Sequence, residues 1–376
     1  MEDDANRNEF LRSIANDLVP HSIILEKLHL LGFRNPVLGW MGDFLGGRHM
    51  RVTVSGVASS SRPVPSGVPQ GSVLGPLLFI IFINYLVHDL HSFSCLFADD
   101  LKIYLGVPRD PVSYTEGIRS IQTDINLLVA RASSWGLTFA PHKCIRLRFV
   151  RPYKDTPLPL PLYLNNSQLK VSEFARDLGV TVDTELRFHK HIGQTQARAF
   201  GVSNDILRGT ICRSPEFMKV IFISHVRPLL DFCSPAWNTG FIMDVKSLEN
   251  VQRRWTKKID GFSELTYHER LQRLSLYSIW GRLLRADLIM VWKITHNLVP
   301  YLSDILPRSA IDFTRGHPHK LAVTRSQTEA RKRFFSSRVV TAWNNLPYDV
   351  VMSPSLPIFK SRLHSAWGDL LYFYYD

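Results

Sequence analysis

Two adjacent carboxylates, Asp99 and Asp100, stand between two short apolar runs in "CLFADDLKIY" (95–104). Like charges held side by side repel, and a divalent cation is the usual means of making them share a site. The plain alternative is a turn, because Asp side chains hydrogen-bond nearby backbone and tolerate unusual dihedrals. A second candidate lies upstream in "SGVPQGSVLGPLLFIIFINYL" (66–86), where Gly67, Pro69 and Gly71 prevent regular structure before a long apolar run begins. A third is "LENVQRRWTKKIDGF" (248–262). As a helix it puts Arg253, Arg254, Lys257 and Lys258 on adjacent turns, with Leu248, Val251, Trp255 and Ile259 in a core-facing stripe. That basic face either contacts phosphates or merely keeps its charges wet.

Stepping outward from these residues, the apolar runs on either side of Asp99 and Asp100 predict two strands, so a hairpin carries both carboxylates at its tip. The glycine-bearing loop feeds a buried helix over Leu74–Leu90, interrupted only by Asn84, His88 and Asp89. Upstream, "HSIILEKLHLLGF" predicts a helix stopped by Gly32, "GWMGDFLGG" a shorter one, and "MRVTVSG" a strand. Downstream, Gly117–Trp135 has helical spacing and "CIRLRFV" alternates as a strand. The front half is therefore expected to be an α+β layer, with helices behind an antiparallel sheet. Beyond about Phe188 helical periodicity dominates, as in "SIWGRLLRADLIMVWKITHNLV", with proline-bearing breaks at "HNLVPYL" and "TRGHPHKL". There is no internal repeat or low-complexity tract.

At 376 residues, 45% apolar and 21% charged, the chain has the composition of a folded protein of two or three domains. No stretch reaches the roughly 18 apolar residues of a membrane span, and the acidic start "MEDDANRNEF" is the opposite of a secretory signal. Cys95, Cys144, Cys212 and Cys233 show neither zinc nor redox spacing, so reduced thiols in an intracellular setting, cytoplasmic or nuclear, are expected. The net charge of +12 is unevenly spread: residues 1–110 hold 9 Lys and Arg against 11 Asp and Glu, the remainder 36 against 22. Such asymmetry points to a polyanionic partner, nucleic acid before anionic membrane.

These motifs resemble those of the reverse transcriptase of non-LTR (LINE-type) retrotransposons. The loop at 66–86 and "FADDLKIY" match two motifs in order, "SSWGLTFAPHKCIRLRF" the next and "FARDLGVTVDTELRF" the one after. "SPAWN", "LENVQRRWTKKIDGF" and "VVTAWNNLPYDVV" resemble the region that follows the polymerase in such proteins. The resemblance implies RNA-directed DNA synthesis on a palm sheet with two Mg²⁺ ions about 3.5–4 Å apart. It makes Asp99 the direct metal ligand and Asp100 its weaker partner. Pro69, Gln70 and Gly71 would line the template and incoming nucleotide, where a glycine-rich backbone permits close approach by a base pair. Lys143 matches a motif lysine, a proton donor to pyrophosphate or simply a solvated side chain, and Leu178, Gly179 and Val180 match the turn that grips the primer. The implied partners are an RNA template, a DNA primer and deoxynucleoside triphosphates, with no membrane and no disulfide-linked partner.

One departure bears on activity. The family's third carboxylate precedes a "KAFD-V-H" stretch whose counterpart here is "LRSIANDLVPH", with Ala15, Asp17, Val19 and His21 in register. That register places Leu11 at the bridging carboxylate and Asn16 at the aromatic gate beside the sugar. Leucine cannot coordinate a hard cation, so two adjacent carboxylates are expected to hold Mg²⁺ weakly, unless Asp17 or another acid substitutes. The expected organisation is an N-terminally truncated enzyme: residues 1–185 a partial palm without fingers, 186–300 a helical thumb-like region, 301–376 a basic helical region. The alternative is a non-catalytic nucleic-acid-binding remnant.

Overall fold

The computed structural model describes residues 19–108, 110–149, 160–306, 308–309, 316–323 and 325–375. Leu11, Asn16 and Asp17 lie outside the described residues. The chain divides into two units, the first holding the described residues up to 146 with 160–172, the second 147–149 and those from 173 onward.

In the first unit, helix α1 (His21–Leu30) stops ahead of Gly32, whose φ of +96° suits glycine. It packs with α2 (Val37–Leu45) and α3 (Leu74–Asn84) around Ile24, Leu28, Leu45, Leu78 and Phe82. The buried helix expected to reach Leu90 ends at Asn84 and continues as a single 3-10 turn, Tyr85–Val87. Its carbonyls are then taken up by cations. Arg131 of α4 (Pro111–Ser134) donates to the carbonyls of Tyr85, Leu86 and His88 at 3.2, 2.9 and 2.7 Å, and the Lys27 amine donates to that of Phe82 at 2.8 Å. Positive charge at a helix C-terminus satisfies orphan carbonyls and opposes the helix dipole. Lys27 is buried, its amine 3.5 Å from the Trp135 ring centroid, and burial lowers its pKa to about 8. Helix α4 begins at Asp110, whose carboxylate accepts from the Ser113 amide at 2.9 Å, with proline at the first helical position.

Helix and antiparallel sheet are both present, as expected, but not as helices behind one sheet: each described sheet has two strands. The segment "MRVTVSG" illustrates why. Its alternation predicts a strand, yet Val54 and Val57 are 67% and 75% exposed, so no buried face holds a longer ladder together. Instead Thr53–Val54 folds back on Val57–Ala58 through Ser55 and Gly56, both at positive φ.

The second unit opens with a hairpin, Phe174–Asp177 against Val180–Asp183, followed by α5 (His189–Gly209), α6 (Ile242–Thr256), α7 (Tyr267–Leu274), α8 (Ile279–Thr295) and α9 (Leu356–Leu371), with short helices between them. Its apolar residues form two clusters, one around Phe222, Trp237 and Trp255, the other around Trp292, Trp343 and Phe359. Helix α8 serves both: Ile279 and Leu283 belong to the first, Leu288, Val291 and Ile294 to the second. Buried Glu249 of α6 accepts from the amides of Ile279 (2.9 Å) and Trp280 (3.4 Å), capping α8 from a distance. A Cβ at Gly281 would lie 2.1 Å from the Leu371 carbonyl oxygen, so only glycine lets the end of α9 approach. Asp287, also buried, accepts from Arg338 Nη2 at 2.8 Å and Nε at 2.9 Å.

Among the described residues no helix is long and apolar enough to cross a membrane, and no disulfide joins the four cysteines.

Candidate active site

The acidic pair sits where the alternating runs predict it. Strand β1 (Phe93–Phe97) pairs antiparallel with β2 (Asp100–Tyr104), and Ala98 and Asp99 form the two-residue turn. Ala98 takes a φ of +52°, a conformation an alanine adopts at a cost of about 1–2 kcal/mol. Side chains alternate across the ribbon. Leu96, Leu101 and Ile103 pack on the first unit's core, whereas Phe93, Cys95 and Phe97 are exposed opposite Tyr104, Lys102 and Asp100. Both carboxylates are thus exposed, Asp99 in the turn and Asp100 on the outer face. Phe93 and Tyr104 stack at 5.4 Å further along that face.

The Pro69–Gly71 loop is held by bonds that the motif alone does not reveal. The Gly67 carbonyl receives two donors, His21 Nε2 at 2.9 Å and Arg48 Nη2 at 2.5 Å, and Arg48 Nε donates to the Leu45 carbonyl at the end of α2 (2.8 Å). The Gly67 amide in turn donates to the Val19 carbonyl at 2.8 Å. On the other side Ser72 Oγ donates to the Pro69 carbonyl (2.6 Å) and accepts from the Gly75 amide (3.0 Å). A Cβ at Gly75 would meet the Pro69 oxygen at 2.5 Å, whereas one at Gly71 would meet nothing within 4 Å. Glycine is required at 71 by its φ of +77°, and the space beside it is open. Gln70 and Gly71 are exposed and Pro69 half-buried. Val68 belongs to the same apolar cluster against which Leu96, Ala98 and Leu101 pack, so loop and hairpin rest on one core. Arg48 is the residue that motif reading misses; a cation just past the "GG" ending α2 is its only signal.

Lys143 is exposed at the end of a single turn, Pro141–Lys143. In the second unit, Leu178 (φ +44°) and Gly179 (φ +91°) form the tight turn between the strands at 174–177 and 180–183, and Val180 is buried behind it. A Cβ on Gly179 would press on the Phe232 ring at 3.1 Å.

Among the described residues, no group of three or more His, Cys, Asp or Glu side chains is placed to hold a metal ion. Asp99 and Asp100 supply two carboxylates, fewer than such a group needs. They do not by themselves furnish a bridged pair of ions.

Residues 14–193 match the family described as reverse transcriptase (RNA-dependent DNA polymerase). The chain is also 31% identical over 258 residues to the probable RNA-directed DNA polymerase from transposon BS of Drosophila melanogaster, a match covering 65% of this chain and 28% of that protein. The resemblance to non-LTR reverse transcriptases is thus borne out over residues 14–193. Two further relatives from the same fly are the RNA-directed DNA polymerase from mobile element jockey and the probable RNA-directed DNA polymerase from transposon X-element. The first is 29% identical over 41% of this chain and 17% of the relative, the second 28% over 63% and 26%. The chain thus spans about a quarter of the length of the curated relatives it matches.

The basic residues at 253–258 do not form one helical face. Helix α6 ends at Thr256, so Lys257 caps it and Lys258 lies beyond; both are exposed. Arg253 is half-buried: its guanidinium donates to the Tyr375 carbonyl at 3.1 Å and lies 4.8 Å from both the Tyr267 and Tyr374 ring centroids. Arg254 rests over Phe200 at 4.9 Å. The opposite stripe is as the spacing predicts, with Leu248, Val251, Trp255 and Ile259 all buried.

Proposed function

We propose that the chain carries the nucleotidyl-transfer region of an RNA-directed DNA polymerase that extends a DNA 3′ end on an RNA template. Residues 1–185 are its partial palm, 186–300 its thumb and 301–376 a basic helical extension. The observation that carries this reading is the pair of exposed carboxylates at a hairpin tip, braced on the same core as a glycine-bearing loop with open space beside it.

Phosphoryl transfer asks a protein chiefly for positioning and charge neutralisation. Asp99 and Asp100 hold Mg²⁺, which when bound offsets triphosphate charge and lowers the pKa of the attacking 3′-hydroxyl. Gln70 and Gly71 border the nascent base pair, whose approach needs the missing side chain at 71. Lys143 gives a proton to departing pyrophosphate, and the Leu178–Val180 turn supports the primer strand. Lys257 and Lys258, with Arg254, contact backbone phosphates, while Arg253 positions the segment they stand on.

With leucine at position 11, a donor set of two carboxylates leaves the reaction impaired. The same donor set favours a second reading, in which the chain binds nucleic acid without chemistry. Primer extension by the purified chain on an RNA template with Mg²⁺, beside Asp99→Asn, tests both. Faint extension, lost in Asp99→Asn, is expected. Robust, Asp99-dependent extension would overturn impairment and point to Asp17 or another acid as third ligand. Template–primer binding without extension favours the second reading, and absence of binding would sink both.

A further inference from the structure

Within the second unit, Arg282 and Arg227 flank one carboxylate, Asp231, and Arg285 stands one helical turn from Arg282. Arg227 and Asp231 lie one turn apart on the short helix Arg227–Asp231, and Arg282 and Arg285 lie three residues apart on α8. Arg282 Nε is 2.9 Å from each Asp231 carboxylate oxygen, and its Nη2 also donates to Oδ2. Arg227 reaches the same oxygen only at 3.8 Å. Arg285 makes no side-chain hydrogen bond among the described residues: its Nε is buried without a partner, and its guanidinium lies 6.0 Å from the Tyr277 ring centroid.

Guanidinium groups stay charged in proteins, and each carries five donors in a fixed fork. Asp231 offsets one charge of the three, which leaves two positive charges and most of the donors of Arg227 and Arg285 unused. Burial and mutual repulsion push both of those arginines below the ordinary arginine range, with Asp231 as the opposing carboxylate in each case. Such a cluster is costly unless an anion completes it. The Arg227 and Arg282 side chains remain 26% and 20% exposed, so an anion can reach them from solvent. A tetrahedral group with several acceptor oxygens can satisfy more guanidinium donors than a single carboxylate does.

We propose that Arg227, Arg282 and Arg285, gathered around Asp231, form a binding site for a phosphate group, supplied by a nucleic-acid backbone. Asp231 fixes the Arg282 fork, and Arg227 and Arg285 contribute the free donors. The site lies outside the residues assigned to nucleotidyl transfer, and its existence does not depend on that activity.

The test uses the full chain, wild type beside Arg227→Gln/Arg285→Gln. Arg282 is left intact because it holds Asp231. Binding of a fluorescent single-stranded RNA is followed by anisotropy across a salt series, and melting temperature is followed in inorganic phosphate against chloride at equal ionic strength. The double variant should bind RNA more weakly, with the slope of log K against log salt smaller in magnitude by about 1. If instead only the melting shift given by inorganic phosphate disappears while RNA binding is unchanged, the site takes free phosphate. Wild-type RNA binding together with a wild-type phosphate response would overturn the proposal. Should the double variant fail to fold, Arg285→Gln alone decides by the same two readouts, since the Arg285 side chain makes no hydrogen bond whose loss could unfold the chain.

Discussion

The carboxylates at the hairpin tip of the first unit and those beneath the helices of the second are used in opposite ways. In the first, Asp99 and Asp100 stand exposed at the tip of a two-stranded ribbon. In the second, Glu249 and Asp287 are buried, one capping a helix and the other answering an arginine 51 residues away. Burial pushes both of those carboxyls up from the usual carboxylate range, against the hydrogen bonds that favour the charged form. The same contrast holds for cations. Most of the net positive charge lies in the second unit, yet Arg253 and Arg338 are spent on internal contacts, so charge counted along a sequence overstates the charge available to a partner.

Substitutions should separate the two kinds of carboxylate. Asp287→Ala leaves the half-buried Arg338 guanidinium with carbonyl partners only and should destabilise the second unit by about 3–5 kcal/mol in urea denaturation. A loss under 1 kcal/mol would make this acid as dispensable as the exposed pair. Lys27, in the first unit, gives a pH signature instead. Its folded pKa of about 8 lies below that of the unfolded chain, so between the two values the unfolded state binds more protons. Folded-state stability should therefore rise with pH from about 8 to 10.4 relative to Lys27→Met, by up to about 3 kcal/mol. Denaturation followed by far-UV circular dichroism at both ends of that range measures the difference, and a flat difference would mean that Lys27 is not titrating in a buried site. Gly281→Ala should cost about 1–3 kcal/mol, because its Cβ meets a backbone carbonyl rather than a flexible side chain. An unchanged denaturation midpoint would show that the end of α9 can give way. Asp99→Asn with Asp100→Asn should alter stability by no more than about 0.5 kcal/mol, as exposed positions usually do. A larger loss would make these residues structural and erase the comparison.

What could be read in advance was what neighbours in sequence determine. The hairpin tip, the glycine stop of α1 and the buried stripe at Leu248, Val251 and Trp255 follow from local alternation, turn chemistry and helical spacing. The length of the helix after the loop was misjudged because apolar residues continue past Asn84. What ends it is a set of hydrogen bonds from Lys27 and Arg131, each more than 40 residues away. The uneven basic face of α6 has a similar origin, since Arg253 is claimed by a carbonyl 122 residues downstream. In the candidate site the carboxylates and the loop were legible, but the hold of His21 and Arg48 on Gly67 was not. Each is an ordinary polar residue until the chain brings it there.

That hold makes the loop a poor candidate for transplantation. Residues 66–75 contain the whole recognisable motif, but their posture is set from outside it, by an imidazole 46 residues upstream, a guanidinium 19 residues upstream and the Val19 carbonyl. A graft of the ten residues onto another scaffold would carry the letters without the grammar, and a donor for the Gly67 carbonyl would have to travel with them.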